Sequence, residues 1–239
     1  MSELQLDSLS FFERLELLRL LEEQQVRTSR RRFFDLFPDH GPLRRDLYQK
    51  HLAFFKAGFD HDERLFMAAN RIGKTLTGAY EMTCHLTGRY PHWWPGRRFD
   101  EPVQAWAAGT TNETTRDIVQ KELFGGIDRY GTGMIPFADL IGDPRYRPNT
   151  NKAIDYAMVR HVSGGTSSIG LKSYEQRRKA FEGTARHVIW LDEEPPLDIY
   201  SECLLRTATV EGIIYVTFTP LEGATEVVRS FIDGAEHRV

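Results

Sequence analysis

The hydrophobic positions near the start of the chain repeat with the period of a helix. From residue 10 to residue 26, apolar side chains return every three or four positions, at Phe11, Leu15, Leu18 and Leu21. Ser10 and Glu13 have the spacing of a capping box, in which each side chain accepts a hydrogen bond from the other residue's backbone. The pattern predicts an amphipathic helix that packs on the rest of the domain or on a partner.

A turn with Pro38, Gly41 and Pro42 separates this helix from a second one. The second helix is predicted over residues 43–57. Gly58 follows it and is predicted to be its C-cap, because glycine adopts the left-handed conformation that ends many helices.

Short apolar runs replace the helical period farther along the chain. They are rich in β-branched and aromatic residues and are bounded by glycine, proline or polar residues, as buried strands are. The five runs are Leu65–Ala69, Val103–Ala108, Ser167–Leu171, Val188–Leu191 and Ile213–Phe218. Helical stretches at 74–87, 112–123 and 197–206 lie between several of them. This alternation predicts an α/β fold with a central, mostly parallel sheet flanked by helices.

The stretch from about 128 to 165 interrupts the alternation of strands and helices. It contains several turn-forming residues, namely Gly131, Gly133, Pro136, Pro144 and Pro148. Its end and the residues that follow, AIDYAMVRHVSGGTSSIG, predict two strands joined by a Ser-Gly-Gly turn. We therefore expect a small, separate β-hairpin insertion in the α/β domain.

Composition narrows the class of protein. The 239 residues are 41% hydrophobic and 27% charged, as in soluble globular domains, and they contain no apolar run of membrane-spanning length. Cys84 and Cys203 lack the paired spacing of a metal site. The formal net charge of −3 argues against a protein that coats nucleic acid through bulk positive charge. Local basic runs remain at residues 30–32, 44–45 and 177–179, and surface exposure is the simpler interpretation of each.

The segment FMAANRIGKTLTGA, residues 66–79, is almost a phosphate-binding loop. That loop has glycine, four residues and then Gly-Lys-Ser/Thr, and here Ala68 stands at the first glycine. Because the segment joins a predicted strand to a predicted helix, its backbone N–H groups and the helix dipole would point at an anion. We predict that the Lys74 ammonium binds the β- and γ-phosphates of ATP and that the Thr75 hydroxyl binds Mg²⁺. The predicted ATP-binding residues are Ala69, Asn70, Arg71, Ile72, Gly73, Lys74 and Thr75.

A second segment, HVIWLDEEPP, residues 187–196, has the form of a Walker B motif. An apolar strand ends in Asp192, which is predicted to bind Mg²⁺, and Glu193 is placed to orient and deprotonate a water molecule. Taken alone, the segment could also be an exposed acidic strand end. Because the segment follows a phosphate loop by about 115 residues, the two together indicate an ATPase with a catalytic glutamate.

A third segment, IIYVTFTPLEG, residues 213–223, is a continuous apolar strand that ends in two threonines, Thr217 and Thr219. A strand between the loop strand and the Asp192 strand would end near the γ-phosphate, where these hydroxyls could sense its presence. The β-propensity of threonine accounts for the same residues without any such role.

Taken together, these segments resemble the N-terminal ATPase domain of the large terminase subunit of tailed bacteriophages, the motor that pumps DNA into an empty capsid. The resemblance is carried, in order, by FMAANRIGKT, AGTTNET, LKSYEQRRKAFEGT, VIWLDEEPP and VTFTPLEG. It implies a P-loop NTPase of the additional-strand, catalytic-glutamate type that hydrolyses ATP with Mg²⁺ to translocate double-stranded DNA into a procapsid. Alanine at the first loop position, as at Ala68, is common in that family.

The resemblance also implies roles for individual residues. Lys74 and Glu193 would be catalytic, Thr75 and Asp192 would bind Mg²⁺, and the coupling motif would be Thr217, Phe218 and Thr219. Arg71 is the nearest candidate for a catalytic arginine, although Asn70 occupies the position at which the family usually has this arginine. Arg98, Arg116 and Arg206 are unranked candidates for an arginine finger supplied by a neighbouring subunit, and Gln49 and His51 for adenine recognition.

The implied organisation has three regions: residues 1–42 as an N-terminal helical extension, 43–222 as the ATPase domain with its insertion, and 223–239 as the start of a linker. Family members continue into a nuclease domain, for which the last segment is too short, so no nuclease activity is expected. The implied partners are double-stranded DNA, a small terminase subunit, a portal protein and further copies in a homo-oligomeric ring, with no membrane. The implied location is the host cytoplasm, with transient docking at the viral procapsid.

Three other classes remain open. A helicase-like DNA-remodelling ATPase shares both phosphate motifs but would carry paired arginines after the coupling strand. A P-loop kinase would have an acceptor pocket, and a metabolite rather than DNA would stimulate its turnover. A non-catalytic assembly module would bind nucleotide tightly without hydrolysing it.

Overall fold

The computed structural model describes residues 10–220 and 225–236, and in this part of the chain seven strands form one sheet. The strands are β1 (Glu63–Met67), β2 (Gln104–Gly109), β3 (Leu140–Tyr146), β4 (Ile154–Arg160), β5 (Thr166–Ser173), β6 (Val188–Asp192) and β7 (Ile213–Phe218). Their order across the sheet is β1-β7-β6-β2-β5-β4-β3. The first five strands in this order are parallel, whereas β4 and β3 each run antiparallel to the preceding neighbour.

Helices connect the parallel strands and cover both faces of the sheet. They are α1 (Phe11–Arg30), α2 (Arg32–Asp35), α3 (Gln49–Asp60), α4 (Lys74–Thr87), α5 (consecutive segments Asn112–Thr114, Thr115–Gln120 and Lys121–Phe124, the middle one π-helical), α6 (Leu197–Ala208) and α7 (Glu226–Glu236). Alternate residues of a strand point to opposite faces, so the parallel strands contribute to two cores. One contains Trp190 and Tyr215, and the other contains Ile189, Leu191 and Val216.

The predicted α/β class and mostly parallel sheet are confirmed. All five predicted strands are present, with ends that differ by up to two residues from the predicted ones. β7 lies between β1 and β6, as expected for the strand that ends in Thr217 and Thr219. Because parallel strands end at the same edge, the carboxyl ends of these three strands meet beside the start of α4.

The insertion differs from the predicted separate hairpin. β4 and β5 are joined by the predicted turn, but β5 also pairs with β2, and the unpredicted β3 pairs with β4. The hairpin is therefore part of the main sheet. A short antiparallel pair on its own would leave the backbone groups at its edges unpaired and one of its faces uncovered. Pairing with the parallel strands removes both problems.

The second predicted helix was placed too early, and Gly58 is not its C-cap. Residues Arg45–Leu47 form a single 3-10 turn, and α3 begins only at Gln49. Gly58 lies inside α3, where a Cβ atom would stand 2.7 Å from the Arg64 guanidinium carbon. Glycine is needed here to admit a buried arginine, a contact between elements that the local sequence does not show.

The N-terminal helix begins as predicted, with the Ser10–Glu13 capping box formed, and continues to Arg30. None of its side chains is buried, and Phe11 and Phe12 are more than two-thirds exposed. Packing of its apolar side on the domain is therefore not found within residues 10–220 and 225–236, and packing on a partner stays a prediction. In that same part of the chain no helix has the length and apolar character needed to span a bilayer.

The predicted boundaries of the three regions stay predictions. The beginning of the extension (1–9), the end of the predicted ATPase domain (221–222) and parts of the predicted linker (223–224 and 237–239) lie outside the described residues. Within the linker, α7 buries Val227 and Val228 in the same core as Ile189 and Leu191.

Candidate active site

The loop between β1 and α4 has the geometry that its sequence predicts. Gly73 has a φ of 86°, in the left-handed region that glycine adopts at little cost, and α4 begins at the next residue. Arg71 also has a positive φ, of 64°, which is uncommon for a residue with a side chain and marks a constrained backbone. The loop is supported from below by His51, whose Nε2 lies 3.0 Å from the Ile72 carbonyl oxygen.

Lys74 connects this loop to the end of β7. Its ammonium donates hydrogen bonds of 2.8 Å to the Ala69 carbonyl and to the Thr219 hydroxyl. That hydroxyl donates in turn to the Asn70 side-chain oxygen at 2.6 Å. The lysine is buried, and its hydrogen-bond partners among residues 10–220 and 225–236 are these two neutral oxygens. From these two partners the ammonium can be transferred to a phosphate without breaking an ion pair.

A second chain of hydrogen bonds connects α4 to the ends of β6 and β7. The Thr75 hydroxyl lies 3.1 Å from Asp192 Oδ1 and 3.4 Å from Oδ2. The Thr217 hydroxyl donates to Asp192 Oδ1 at 2.7 Å and accepts from the Trp190 indole N–H at 2.8 Å. The carboxylate of Asp192 is therefore oriented by hydroxyls from two different elements.

Burial raises the pKa of Asp192 to about 7. The Thr217 hydrogen bond acts in the opposite direction, and the neighbouring Glu193 charge raises the pKa further. A carboxylate removed from water in this way gains stability from a nearby cation.

The oxygen atoms of Thr75 and Asp192 fit Mg²⁺. Mg²⁺ prefers oxygen ligands and is often held by one or two protein groups together with water and substrate phosphates. The described residues include no cluster of three or more His, Cys, Asp or Glu side chains that could hold a metal ion without such added ligands.

Glu193 is held in an unusual conformation at the end of β6. Its φ is 64°, its N–H donates to the Thr217 carbonyl at 2.8 Å, and its Oε2 lies 3.4 Å from the Thr219 N–H. The buried Tyr174 hydroxyl lies within hydrogen-bond distance of the carbonyls of Asp192 (3.1 Å) and Glu193 (2.8 Å). These bonds direct the Glu193 side chain into a cleft of about 720 Å³ that Thr110 and Thr219 also line.

The structure thus brings together, at one edge of the sheet, most of the predicted site residues. They are Lys74, Thr75, Asp192, Glu193, Thr217 and Thr219. Phe218 is different, because its side chain is fully buried in the core with Val216 and only its carbonyl meets the loop, where it accepts from the Ala68 N–H at 3.3 Å. The loop residues Ala69, Asn70, Arg71 and Ile72 are exposed.

Comparison with known proteins agrees with this geometry. The profile of the family described as "Terminase large subunit, T4likevirus-type, N-terminal" matches residues 65–238. The chain belongs to the terminase large subunit family. The curated terminase large subunit of Salmonella phage P22 is 39% identical over 247 residues, which cover 95% of this chain and 48% of that protein. The chain therefore spans about half the length of this terminase relative.

Solved terminase structures share the fold at low identity. The large terminase of a thermophilic bacteriophage, in complex with ADP, covers 80% of this chain with a TM-score of 0.54 and 15% identity. A second crystal form of the same thermophilic phage protein gives a TM-score of 0.55 and 12% identity, again over 80% of this chain. In each case 42% of the phage protein's chain is matched. The predicted P-loop NTPase fold is confirmed.

Within this terminase domain, the candidate arginine fingers lie at different places. Arg116 is on α5 and is paired with its neighbour Asp117. The Arg98 guanidinium stacks on the Tyr90 ring in the connection that leads into β2. The Arg206 carbonyl accepts a hydrogen bond from the Arg186 N–H, just before β6. Strands begin at that edge of the sheet, so Arg98 and Arg206 lie at the opposite edge from the phosphate loop of their own chain.

The two candidates for adenine recognition are also separated. His51 is buried under the phosphate loop, and burial lowers its pKa. The neutral ring donates from Nε2 to the Ile72 carbonyl, because a carbonyl oxygen can only accept. Gln49 is exposed at the first turn of α3.

Two residues of the site were not identified from the sequence. Tyr174 lies in LKSYEQRRKAFEGT, a stretch that carried the family resemblance but no assigned role, and Trp190 lies two residues before Asp192. Trp190 has the character of an ordinary core residue, and its indole N–H is the only sign in the sequence that it requires a polar partner.

Proposed function

We propose that this chain is the ATPase motor domain of a terminase large subunit, which hydrolyses ATP to translocate double-stranded DNA into a procapsid. One observation carries the proposal: Lys74, the Thr75–Asp192 pair and Glu193 converge at one edge of the sheet beside an open cleft. A lysine, a magnesium-binding pair and a water-orienting carboxylate are the groups that phosphoryl transfer to water requires.

In the proposed mechanism, the loop N–H groups and Lys74 bind the phosphates. Thr75 and Asp192 would hold Mg²⁺, which supplies positive charge against the triphosphate. The Glu193 carboxylate orients a water molecule in line with the γ-phosphate and accepts its proton. An arginine from Arg71 or from a neighbouring copy would add further charge stabilisation.

The contacts of Lys74 suggest how hydrolysis is coupled to movement. Its ammonium is bonded to Thr219, at the end of β7. A bound phosphate would take the ammonium away from that hydroxyl, and departure of the phosphate would return it. Occupancy of the phosphate site would thereby reach β7 and Glu193, whose carboxylate meets the Thr219 N–H.

The decisive variant is Glu193→Gln. The amide keeps the size of the side chain but cannot accept a proton, so ATP binding is expected to persist while turnover falls by roughly 10²–10⁴-fold. Glu194→Gln, the same change one residue along, is the matched control. ATP binding is measured with a fluorescent analogue and turnover by phosphate release. Turnover that survives in the Glu193 variant would contradict the proposal.

Double-stranded DNA tests the motor part of the proposal. We expect duplex DNA to stimulate turnover, and the stimulation to rise with protein concentration if neighbouring copies in a ring complete the site. Turnover that responds to a small-molecule acceptor instead would favour a kinase, and tight nucleotide binding without turnover would favour an assembly module. The small terminase subunit and the portal protein belong to the same proposal as further partners.

A further inference from the structure

A basic pocket lies on the sheet face away from α4, on the far side of β6 from the phosphate loop. It has a volume of about 310 Å³ and is lined by side chains that include Trp106, Arg145, Asp155, Tyr156, Lys172 and Arg186. These residues come from β2, β3, β4, β5 and the segment just before β6. Among the described residues, none lines both this pocket and the Glu193 cleft.

Two cations in the pocket lie against the same tryptophan. The Lys172 ammonium is 4.5 Å from the centre of the Trp106 ring, and the Arg186 guanidinium carbon is 4.3 Å from it. Gly170 packs against the same ring, where a Cβ atom would stand 3.1 Å from it. The aromatic face stabilises both charges but neutralises neither.

The positive charge of the pocket exceeds its negative charge. Arg145 and Arg147 both approach the single carboxylate that the described residues contribute to the lining, at 3.7 Å and 3.5 Å from Asp155. Burial, together with the charges of Arg147 and Arg186, lowers the pKa of Lys172 to about 8. Three cations, Arg145, Lys172 and Arg186, therefore line the pocket with one carboxylate, in a chain whose net charge is −3. Like charges this close repel one another, and a bound anion would relieve the repulsion.

The geometry favours a phosphate group over a stacked base. Trp106 is only 3% exposed, so its ring is a support for Lys172 and Arg186 rather than a platform on which a base could stack. The entrance is open, because Arg145 is 77% exposed at its side chain, and Tyr156 and Met158 are exposed beside it. The Arg145 charge is therefore accessible to a polyanion in solvent.

We propose that this pocket binds a backbone phosphate of double-stranded DNA. The inference rests on the proposed function as a DNA motor, and adds the surface that holds the duplex. Contacts of lysine and arginine with phosphates position DNA without reading its sequence, which suits a protein that moves along any sequence.

The test compares duplex binding by four proteins: the wild type, Lys172→Gln, Arg145→Gln and the control Lys56→Gln. Lys56 is an exposed lysine on α3, so its variant removes the same charge far from the pocket. Fluorescence anisotropy with a labelled duplex is recorded at several salt concentrations. Each pocket variant is expected to weaken binding several-fold and to reduce the slope of log K against log salt by about 0.9, the effect of one lost phosphate contact. The control and the affinity for ATP are expected to be unchanged.

The outcomes separate this inference from the proposed function. A wild type that binds duplex, with pocket variants that keep its affinity and salt slope, overturns the inference and leaves the motor proposal intact. A wild type that does not bind duplex overturns both. Arg145→Gln keeps the test valid if Lys172→Gln unfolds, because the Arg145 side chain is largely in solvent.

A free phosphate ion is the other source of the same chemistry. Thermal unfolding in the presence of inorganic phosphate distinguishes the two. If phosphate stabilises the wild type but not the pocket variants, while duplex affinity is equal in all of them, the pocket is a free-anion site and the DNA inference is wrong.

Discussion

Replacing Thr217 by valine removes one hydroxyl from the interior of the sheet and leaves the shape of the side chain nearly unchanged. That hydroxyl is fully buried, donates to Asp192 Oδ1 at 2.7 Å and accepts from the Trp190 indole N–H at 2.8 Å. The variant therefore separates the two hydrogen bonds of this residue from its packing.

The magnitude follows from the two partners that the hydroxyl leaves behind. The indole N–H of Trp190, which is itself fully buried, loses its acceptor, and an unsatisfied buried donor costs about 1–3 kcal/mol. The Asp192 carboxylate loses a hydrogen bond worth about 1.5–3 kcal/mol, although it keeps the one from Thr75. Because the lost bonds share one hydroxyl and are not additive, we expect the free energy of unfolding to fall by about 3 kcal/mol, out of a total of roughly 5–15 kcal/mol for a domain.

Urea unfolding followed by circular dichroism measures this loss. Thr217→Ser is the matched control, because it keeps the oxygen and removes only a methyl group, at a cost of about 0.8 kcal/mol. The two variants also test coupling: if the hydroxyl transmits the state of the phosphate site, DNA-stimulated turnover falls in the valine variant more than in the serine variant.

A valine variant no less stable than the serine variant would refute the reasoning. It would mean that water or a rearranged side chain satisfies Trp190 and Asp192 without Thr217, and that the chain of hydrogen bonds from α4 to β7 has no energetic weight.

Three further predictions concern the supports around the site. Gly78→Ala is expected to destabilise the domain by about 1–3 kcal/mol in urea unfolding, because the added carbon would meet the Trp190 indole at 2.4 Å. Glu81→Gln is expected to cost about 3–5 kcal/mol at neutral pH, because it leaves the buried Arg64 guanidinium without its counter-charge. Burial raises the pKa of Glu81. The Arg64 charge and the hydrogen bonds that the Glu81 carboxylate accepts outweigh burial and leave this pKa below its usual 4.5. The stabilisation is therefore full above pH 4.5 and is lost as the pH falls from there through the lower pKa of the folded state, so below pH 4.5 the wild type is expected to lose more stability than the variant. His51→Ala is expected to weaken ATP binding roughly fivefold, because the phosphate loop loses one hydrogen bond worth about 1 kcal/mol.

Matched variants accompany these predictions. Gly126→Ala adds the same carbon where nothing lies within 4 Å. If the two alanine variants lost equal stability, the argument from close packing would be contradicted. Glu113→Gln removes a charge from an exposed position and is the control for Glu81→Gln. If the stability of Glu81→Gln fell with pH as that of the wild type does, the Glu81 carboxylate would be excluded as the acid-sensitive group. His51→Gln can still donate to the loop, so it should recover part of the ATP affinity that alanine loses.

The phosphate loop and the Asp192 strand could be predicted because their signals are local. Gly-Lys-Thr between a β-branched or aromatic run and a helix-forming run already defines a strand, a tight turn and a helix N-terminus. A run of apolar residues that ends in carboxylates defines a buried strand with a polar end in the same way. Periodicity and turn chemistry act over a few residues and are therefore visible without the rest of the chain.

The errors have the opposite character. Glycine is common at helix ends, yet the role of Gly58 is to leave space for the side chain of Arg64, which belongs to β1. β3 escaped prediction because its proline and polar residues do not form an apolar run, and pairing with β4 is what makes it a strand. In both places a contact between distant residues outweighed the local preference.

By itself, the sequence determined the class of fold, the elements that carry the phosphate chemistry and most of the residues at their ends. Only the tertiary structure decided that Lys74 bonds Thr219, that Thr217 connects Trp190 to Asp192, and that Arg145, Lys172 and Arg186 line one pocket with Asp155. The physical reason is that strand order and register set these distances, and both depend on which strands find each other across the whole chain.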